Sequence, residues 1–358
     1  MNHPMGLLKI CPRVVHFALA LCLAVTASFS SGAQEREVTQ LADGVYEIQH
    51  EPNGNTTVII GDRQVFVVDS CFLPSAARQD ISDIRKWTDK PVVYVLNTHF
   101  HNDHTLGNRI YMDAFPALAI IAHVETKKDM DMFGPGSLGR EENTKSKILQ
   151  MQKSGIRPDG NDLSEDDKRQ LKDALAQQEA VIGELKDLKF QSATLTFDHD
   201  FTIDLGNREV QVKFLGRGNT NGDAVVYLPK EKIVITGDLV VYPIPYFYDG
   251  YPVEWIQTLQ NLAALDANTI APGHGPILHD KTHIYLIHDL IKSALDQMNE
   301  KLRQTKPAMF QSFDDVKGAV DLTSFRQRFA GEDKDLGFAF DDEAARLVKL
   351  VFDEARLR

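Results

Sequence analysis

The stretch Asn97-Thr98-His99-Phe100-His101-Asn102-Asp103-His104-Thr105-Leu106-Gly107-Asn108 constrains this chain more than any other. It follows an apolar, β-branched run, Pro91 to Leu96, that reads as a short buried strand, so imidazoles and a carboxylate arrive together at a strand's end. Neutral imidazole and ionised carboxylate are the ligands that divalent zinc, iron and manganese accept. Three His and one Asp within six residues, His99 to His104, therefore predict a metal site rather than a solvated His-rich loop. The chain supplies further ligand-type residues in similar strand-end contexts at Asp69, Asp238 and His274.

The pattern His99-x-His101-x-Asp103-His104 resembles the signature of the metallo-β-lactamase superfamily, and the resemblance runs from about Leu41 to His279 with the motifs in the family's order. Asp69, closing Val65-Phe66-Val67-Val68-Asp69, is similar to the family's early strand-end aspartate, which orients the metal loop from behind the ligands. Asp238 in Ile235-Thr236-Gly237-Asp238 resembles its bridging carboxylate, and His274 in Ala271-Pro272-Gly273-His274-Gly275-Pro276 its last metal histidine. In Gly216-Arg217-Gly218-Asn219-Thr220-Asn221-Gly222-Asp223, Asn219 stands where the family usually has a metal-binding His. The resemblance implies one metal held by His99, His101 and residue 219, a second by Asp103, His104 and His274, and Asp238 between them. Zinc, one or two ions, is the expected metal, with iron or manganese as the alternatives. A hydroxide bridging two metals about 3.5 Å apart would attack a carbonyl polarised by one metal while the other stabilises the leaving group. Asp103 and Asp238 are then the candidate catalytic carboxylates.

Asn219 weakens the first of these sites, because an amide oxygen carries no formal charge and donates less to zinc than imidazole does. The second site is expected to fill more tightly, or the enzyme works with one metal, or the chain is a catalytically inactive metal-binding relative. β-Lactamases proper in the family usually carry Cys or Ser where Asp238 stands, whereas thioesterases and lactonases carry Asp. That implies an ester, thioester or lactone hydrolase, although β-lactam ring opening uses the same attack. Tyrosines in the loop Tyr242-Pro243-Ile244-Pro245-Tyr246-Phe247-Tyr248-Asp249-Gly250-Tyr251-Pro252 directly follow Asp238, and Tyr242 and Tyr246 are candidates for substrate contact. A redox metalloprotein using iron in the same ligand set is a further reading, opposed by the lack of any flavin- or haem-attachment signature.

Composition sets the outer limits. With 358 residues, 43% hydrophobic and 25% charged, the chain is globular, and its formal charge of −12 argues against nucleic acid and reads as plain solubility, while the resemblance implies a small-molecule substrate. Residues 1–33 have the parts of a secretory signal: basic Lys9 and Arg13, an apolar core from Val14 to Thr26, and Ser31-Gly32-Ala33 before Gln34. That predicts a secreted or periplasmic protein with no membrane association after cleavage, since the apolar run is shorter than the about 20 residues a span requires. Cys22 is an unpromising lipidation site because Leu21 before it is large. Cys11 and Cys22 lie in the signal, leaving Cys71 alone and reading as a half-buried structural thiol rather than a soft metal ligand.

The remaining pattern fits a layered α/β sandwich, which the resemblance implies is a four-layer αββα sandwich over residues 34–280, with a helical insertion at about 125–189 and a helical C-terminal extension over 281–358. Short strands at Val45 to Ile48, Thr56 to Gly61 and Val65 to Val68 form one meander, and a second is expected from Ala193 to Leu228, its first strand at Thr194 to Phe197. In the insertion, Met130, Met132 and Gly134-Pro135-Gly136 read as a flap, and Ser164-Glu165-Asp166-Asp167 as a capped start to an amphipathic helix. Apolar stripes after Pro276 make the C-terminal part helical, with His279, His283 and His288 as ordinary helix residues and a homodimer through these helices left open.

Overall fold

The computed structural model describes residues 36–157, 160–304 and 312–356. The signal-like segment, with Cys11 and Cys22, lies outside the described residues. Strands β1 (Arg36–Ala42), β2 (Val45–His50), β3 (Asn53–Ile60) and β4 (Val65–Val68) form the expected antiparallel meander, extended at its edge by β1, whose charged and exposed face suits an outer strand. Helix α1 (Pro74–Trp87) leads into β5 (Val92–Asn97). The short α2 (Asn102–Thr105) and α3 (Asn108–Ala114) then lead to β6 (Ala119–His123).

Helices α4 (Val124–Phe133), α5 (Ser137–Ser154) and α6 (Glu165–Leu185) follow, and the Met/Gly-rich stretch is itself helical, with Met130 buried. Ser164 and Asp167 make the reciprocal cap that the sequence suggests for α6: Asp167 Oδ2 accepts from the Ser164 amide at 2.8 Å, and Ser164 Oγ accepts from the Asp167 amide at 3.1 Å. Residues 139–183 are a compact unit of their own, with an apolar centre of Ile148, Met151, Leu163, Leu171 and Ala174.

Strand β7 (Leu195–Phe197) corrects the sequence reading: it pairs in parallel with β6 in the first sheet and does not open the second meander. Alternation marks a strand but not the sheet it joins, and the long helical connection from β6 is what a parallel return requires. The first sheet therefore runs β1-β2-β3-β4-β5-β6-β7. The second contains β8 (Phe201–Asp204), β9 (Glu209–Phe214), β10 (Ala224–Leu228), β11 (Ile233–Ile235) and β12 (Thr269–Ala271), ordered β12-β11-β10-β9-β8. Strand β12, too short to stand out in the sequence, pairs in parallel with β11 after helix α7 (Pro252–Ala264). Helices α8 (Thr282–Gln304), α9 (Thr323–Ala330) and α10 (Lys334–Ala355) complete the chain, and His279 precedes α8 rather than lying in it.

Strand alternation assigns each side chain to a layer. Phe66, Val68, Leu96 and Ile121 of the first sheet meet Val212, Val226, Leu228 and Ile235 of the second in a dry centre. Val65, Val67, Val95 and Ile120 point the other way, against Ala77, Ile81 and Ile84 of α1. Val225, Val234 and Ile270 face Trp255, Leu259, Ile287 and Leu347 of the outer helices. Strands buried on both faces read as continuous apolar runs, which is why β4 and β10 are so legible in the sequence. The result is an αββα sandwich. Phe66 is fully buried between the sheets, and Phe66→Ala is expected to cost about 3–5 kcal/mol of unfolding free energy, read as a lower urea midpoint at unchanged slope.

Candidate metal centre

The site is assembled where strands end. Asp69, the residue after β4, takes a left-handed backbone at φ 59°, which turns its carboxylate back under the next loop. There Oδ1 accepts from the Thr98 amide at 2.8 Å, and Oδ2 accepts from Thr98 Oγ1 at 2.7 Å and pairs with His104 Nδ1 at 2.8 Å. Asn97 at the end of β5 donates through Nδ2 to the His104 carbonyl at 2.8 Å, fixing α2 over the sheet. From the second sheet, Asp238 follows β11 and His274 follows β12. Two glycines make room: a Cβ on Gly54 would lie 2.6 Å from the His104 ring, and one on Gly273 would lie 2.0 Å from Asp238 Oδ1.

Four imidazoles share one arrangement, in which one ring nitrogen is tied to protein and the other faces the cluster. His99 Nδ1 meets Thr98 Oγ1 at 3.1 Å, His104 Nδ1 meets Asp69, His274 Nδ1 meets the Pro52 carbonyl at 3.1 Å, and His101 Nε2 meets Asp249 Oδ2 at 3.1 Å. Outer partners of this kind are the usual setting of metal-ligating histidine. The inward atoms lie close to one another. His99 Nε2 is 3.0 Å from His101 Nδ1; His104 Nε2 is 3.5 Å from Asp103, 3.3 Å from Asp238 and 3.4 Å from His274 Nε2. His274 Nε2 is 3.0 Å from Asp103 Oδ2, and His99 Nε2 is 3.6 Å from Asp238 Oδ2. Ligand atoms set tetrahedrally about 2.1 Å from one zinc are about 3.4 Å apart, so this donor set fits a divalent ion.

The electrostatics point the same way. Burial works against protonating His104, yet the carboxylates of Asp103, Asp238 and Asp69 outweigh it and hold the imidazole well above its ordinary pKa. Asp238 resists the upward push of burial because His274, His104 and His99 surround it, and its carboxyl stands below the usual range. A field that retains protons on buried imidazoles equally favours a cation among them. Asn219 is fully buried, and neither its Nδ2 nor its Oδ1 has a hydrogen-bond partner, a state that costs free energy unless something else engages the amide. Its loop is clamped by Asp223, whose carboxylate accepts from the Gly218 amide at 3.0 Å and from Thr220 Oγ1 at 2.8 Å, and whose pKa burial pushes up to about 7.

The structure thus gathers His99, His101, Asp103, His104, Asp238 and His274, with Asp69 behind them. Of the tyrosines, Tyr246 lies 5.2 Å ring to ring from His274, whereas the exposed Tyr242 packs on His283 at 5.0 Å. Tyr248 lies edge-on to His101 at 6.4 Å. Asp249 and Thr98 are partners that the sequence reading passed over. Thr98 sits inside the His-rich stretch, but nothing local marks Asp249, 148 residues from the histidine it meets. Cys71 is buried, forming a separate grouping with His50 and Asp80. There burial pushes the thiol up, and Asp80 is engaged by His50 at 2.9 Å and Arg36 at 3.0 Å.

An αββα sandwich with a buried His/Asp cluster at the strand ends of both sheets marks a class of metal-binding proteins, and the donors rather than the fold carry that reading. Residues 51–274, well over half the chain, match the family model of the metallo-beta-lactamase superfamily, and the chain belongs to that superfamily. It is similar to the linear primary-alkylsulfatase of a Pseudomonas species, 24% identical over 247 residues that cover 66% of this chain and 44% of that protein, so it spans under half of that relative's length. It is also similar to the type 2 metallo-beta-lactamase of Elizabethkingia meningoseptica, 22% identical over 294 residues covering 78% and 95% of the two chains. Among solved structures, the DIM-1 metallo-beta-lactamase superimposes with a TM-score of 0.51 at 18% identity, covering 74% of this chain and 100% of that one, a likeness of fold.

Beside Asp69, the buried Glu47 accepts from Thr57 Oγ1, and burial raises its pKa to about 8. The unfolded chain loses this proton near 4.5 while the folded chain keeps it to about 8, so Glu47 makes stability fall as pH rises through that window. Glu47→Gln is expected to flatten this loss, gaining on the wild type between about pH 5 and about pH 8 in urea titrations.

Proposed function

We propose that this chain is an exported zinc hydrolase of small-molecule esters, thioesters or lactones. The observation that carries the reading is the position of Asp238, whose carboxylate lies 3.6 Å from His99, 3.3 Å from His104 and 3.6 Å from His274. His104 is common to two donor groups, His99/His104/Asp238 and Asp103/His104/His274, and Asp238 of the first lies 3.6 Å from His274 of the second. A carboxylate here accompanies ester, thioester and lactone hydrolysis in the family pattern, where β-lactamases proper usually have Cys or Ser. The type 2 metallo-beta-lactamase relative, matched over 95% of its length, favours β-lactam ring opening as the second reading.

In this proposal His99, His101 and Asn219 would hold one ion, Asp103, His104 and His274 another, with Asp238 between them. A divalent metal there supplies Lewis acidity, lowering the pKa of water towards about 7 and polarising the carbonyl. The chain's own groups position and protect. Asp69 keeps Nδ1 of His104 hydrogen-bonded, so that Nε2 stays turned inward. Asp103 is held well below the usual carboxylate range, against the effect of burial, by His104 and His274. It therefore remains an anionic acceptor that orients an entering water. Burial holds the Tyr246 phenol well above its ordinary pKa, so Tyr246 remains a hydrogen-bond donor for the carbonyl oxygen as charge develops. No helix among the described residues is long and apolar enough to cross a membrane.

Metal content of the purified protein by plasma emission spectroscopy, with hydrolysis of lactones, thioesters and a β-lactam reporter, tests this reading. One zinc equivalent should bind tightly and a second more weakly, and Asn219→His should tighten the weaker at least about tenfold, as imidazole replaces a neutral amide. Unaltered affinity in that variant removes Asn219 from the site, and a protein with neither metal nor turnover is an inactive relative. Export predicts a mature N-terminus at Gln34, read by mass spectrometry of the secreted or periplasmic protein.

A further inference from the structure

We propose that Asp249 is a positioning residue for His101, fixing the tautomer and ring orientation that a metal ligand needs and supporting the site that Asn219 leaves weak. The inference rests on the reading of His101 as a ligand. Three of the four imidazoles take their outer partner from nearby strand ends and turns: Thr98, Asp69 and the Pro52 carbonyl. His101 takes its own from the tyrosine-rich loop after Asp238. With Nε2–H donated to Asp249 Oδ2 at 3.1 Å, the lone pair of Nδ1 is left facing His99 Nε2 at 3.0 Å. A carboxylate partner also makes the imidazole a stronger donor, more so than a hydroxyl or carbonyl.

The loop is built to hold that carboxylate still. Phe247 donates its amide to the buried Glu343 carboxylate at 2.8 Å, and the Arg346 guanidinium lies 4.5 Å over the Tyr248 ring, so helix α10 braces the residues before Asp249. Beyond it, the Tyr251 amide donates to the Gly218 carbonyl at 2.8 Å, next to Asn219. One loop thus contacts His101 and the backbone next to Asn219, the two residues proposed to share an ion with His99. The Asp249 side chain is 55% exposed, so its pairing with His101 contributes little to folding, and its loss should be read in the metal rather than in stability.

The test is zinc affinity of the full chain by competition with a chelating dye, for the wild type and for Asp249→Ala, Asp249→Asn and Asp249→Glu, together with thermal unfolding of the zinc-free proteins. Expected are a loss of about 10–100-fold for one zinc equivalent in the Ala and Asn variants, the other equivalent unchanged, and substantial recovery in the Glu variant. Zinc-free melting temperatures should match the wild type. Affinities equal to wild type at every equivalent overturn the proposal and leave the hydrolase reading intact. Equal weakening of all equivalents, or a fall in zinc-free stability, overturns it in favour of a structural role. A wild-type chain that takes up no zinc overturns it together with the ligand assignment.

Discussion

Everything at the candidate metal centre depends on one buried carboxylate, Asp69. Burying it is expensive in isolation, and burial does push its pKa up. Its three contacts, to the Thr98 amide, the Thr98 hydroxyl and His104 Nδ1, offset that cost. They also join β4, the loop after β5 and the His104 ring into one rigid piece. Because β4 and β5 are parallel neighbours, both loops leave the sheet on the same side, and Asp69 needs only a left-handed turn to reach across. The ring nitrogen of His104 that faces Asp103, Asp238 and His274 is set by the one that faces Asp69.

The second sheet adds its own ligand-type residues by the same logic. Strands β11 and β12 run in parallel, so Asp238 and His274 emerge side by side, and the Gly273 amide ties the two loops by donating to the Gly237 carbonyl at 2.9 Å. The two sheets meet through an apolar layer that fixes their separation, and the donor distances across the centre inherit that precision. The C-terminal helices bear on the same region, since Glu343 and Arg346 of α10 hold the loop that carries Tyr246, Tyr248 and Asp249.

Membership of the metallo-β-lactamase superfamily accounts for the sandwich and for the order of the motifs, and it leaves the individual features of this chain to be explained on physical grounds. Asn219 is the clearest of them. A buried amide with both polar atoms unengaged is a poor structural choice, and its loop is held in place by Asp223 through the Gly218 amide and the Thr220 hydroxyl.

Much of this was legible in the residues. The His99 to His104 spacing, the Asp69 and Asp238 strand ends, and the double-sided apolar runs of β4 and β10 are local patterns, fixed by which side chains neighbour one another along the chain. The partner of β7 was not, because alternation in Leu195–Phe197 is the same whichever sheet the strand joins. Nor was the division of labour in the tyrosine loop: Tyr242 turned to His283, Tyr246 to His274, and Asp249 to His101. Residue type along the chain marked the candidate ligands, and a period of two marked which residues of a strand share a face, because both are local properties. Which outer group holds each imidazole came from packing, because those contacts join positions as far apart as 148 and 222 residues and depend on how two sheets and a C-terminal helix meet.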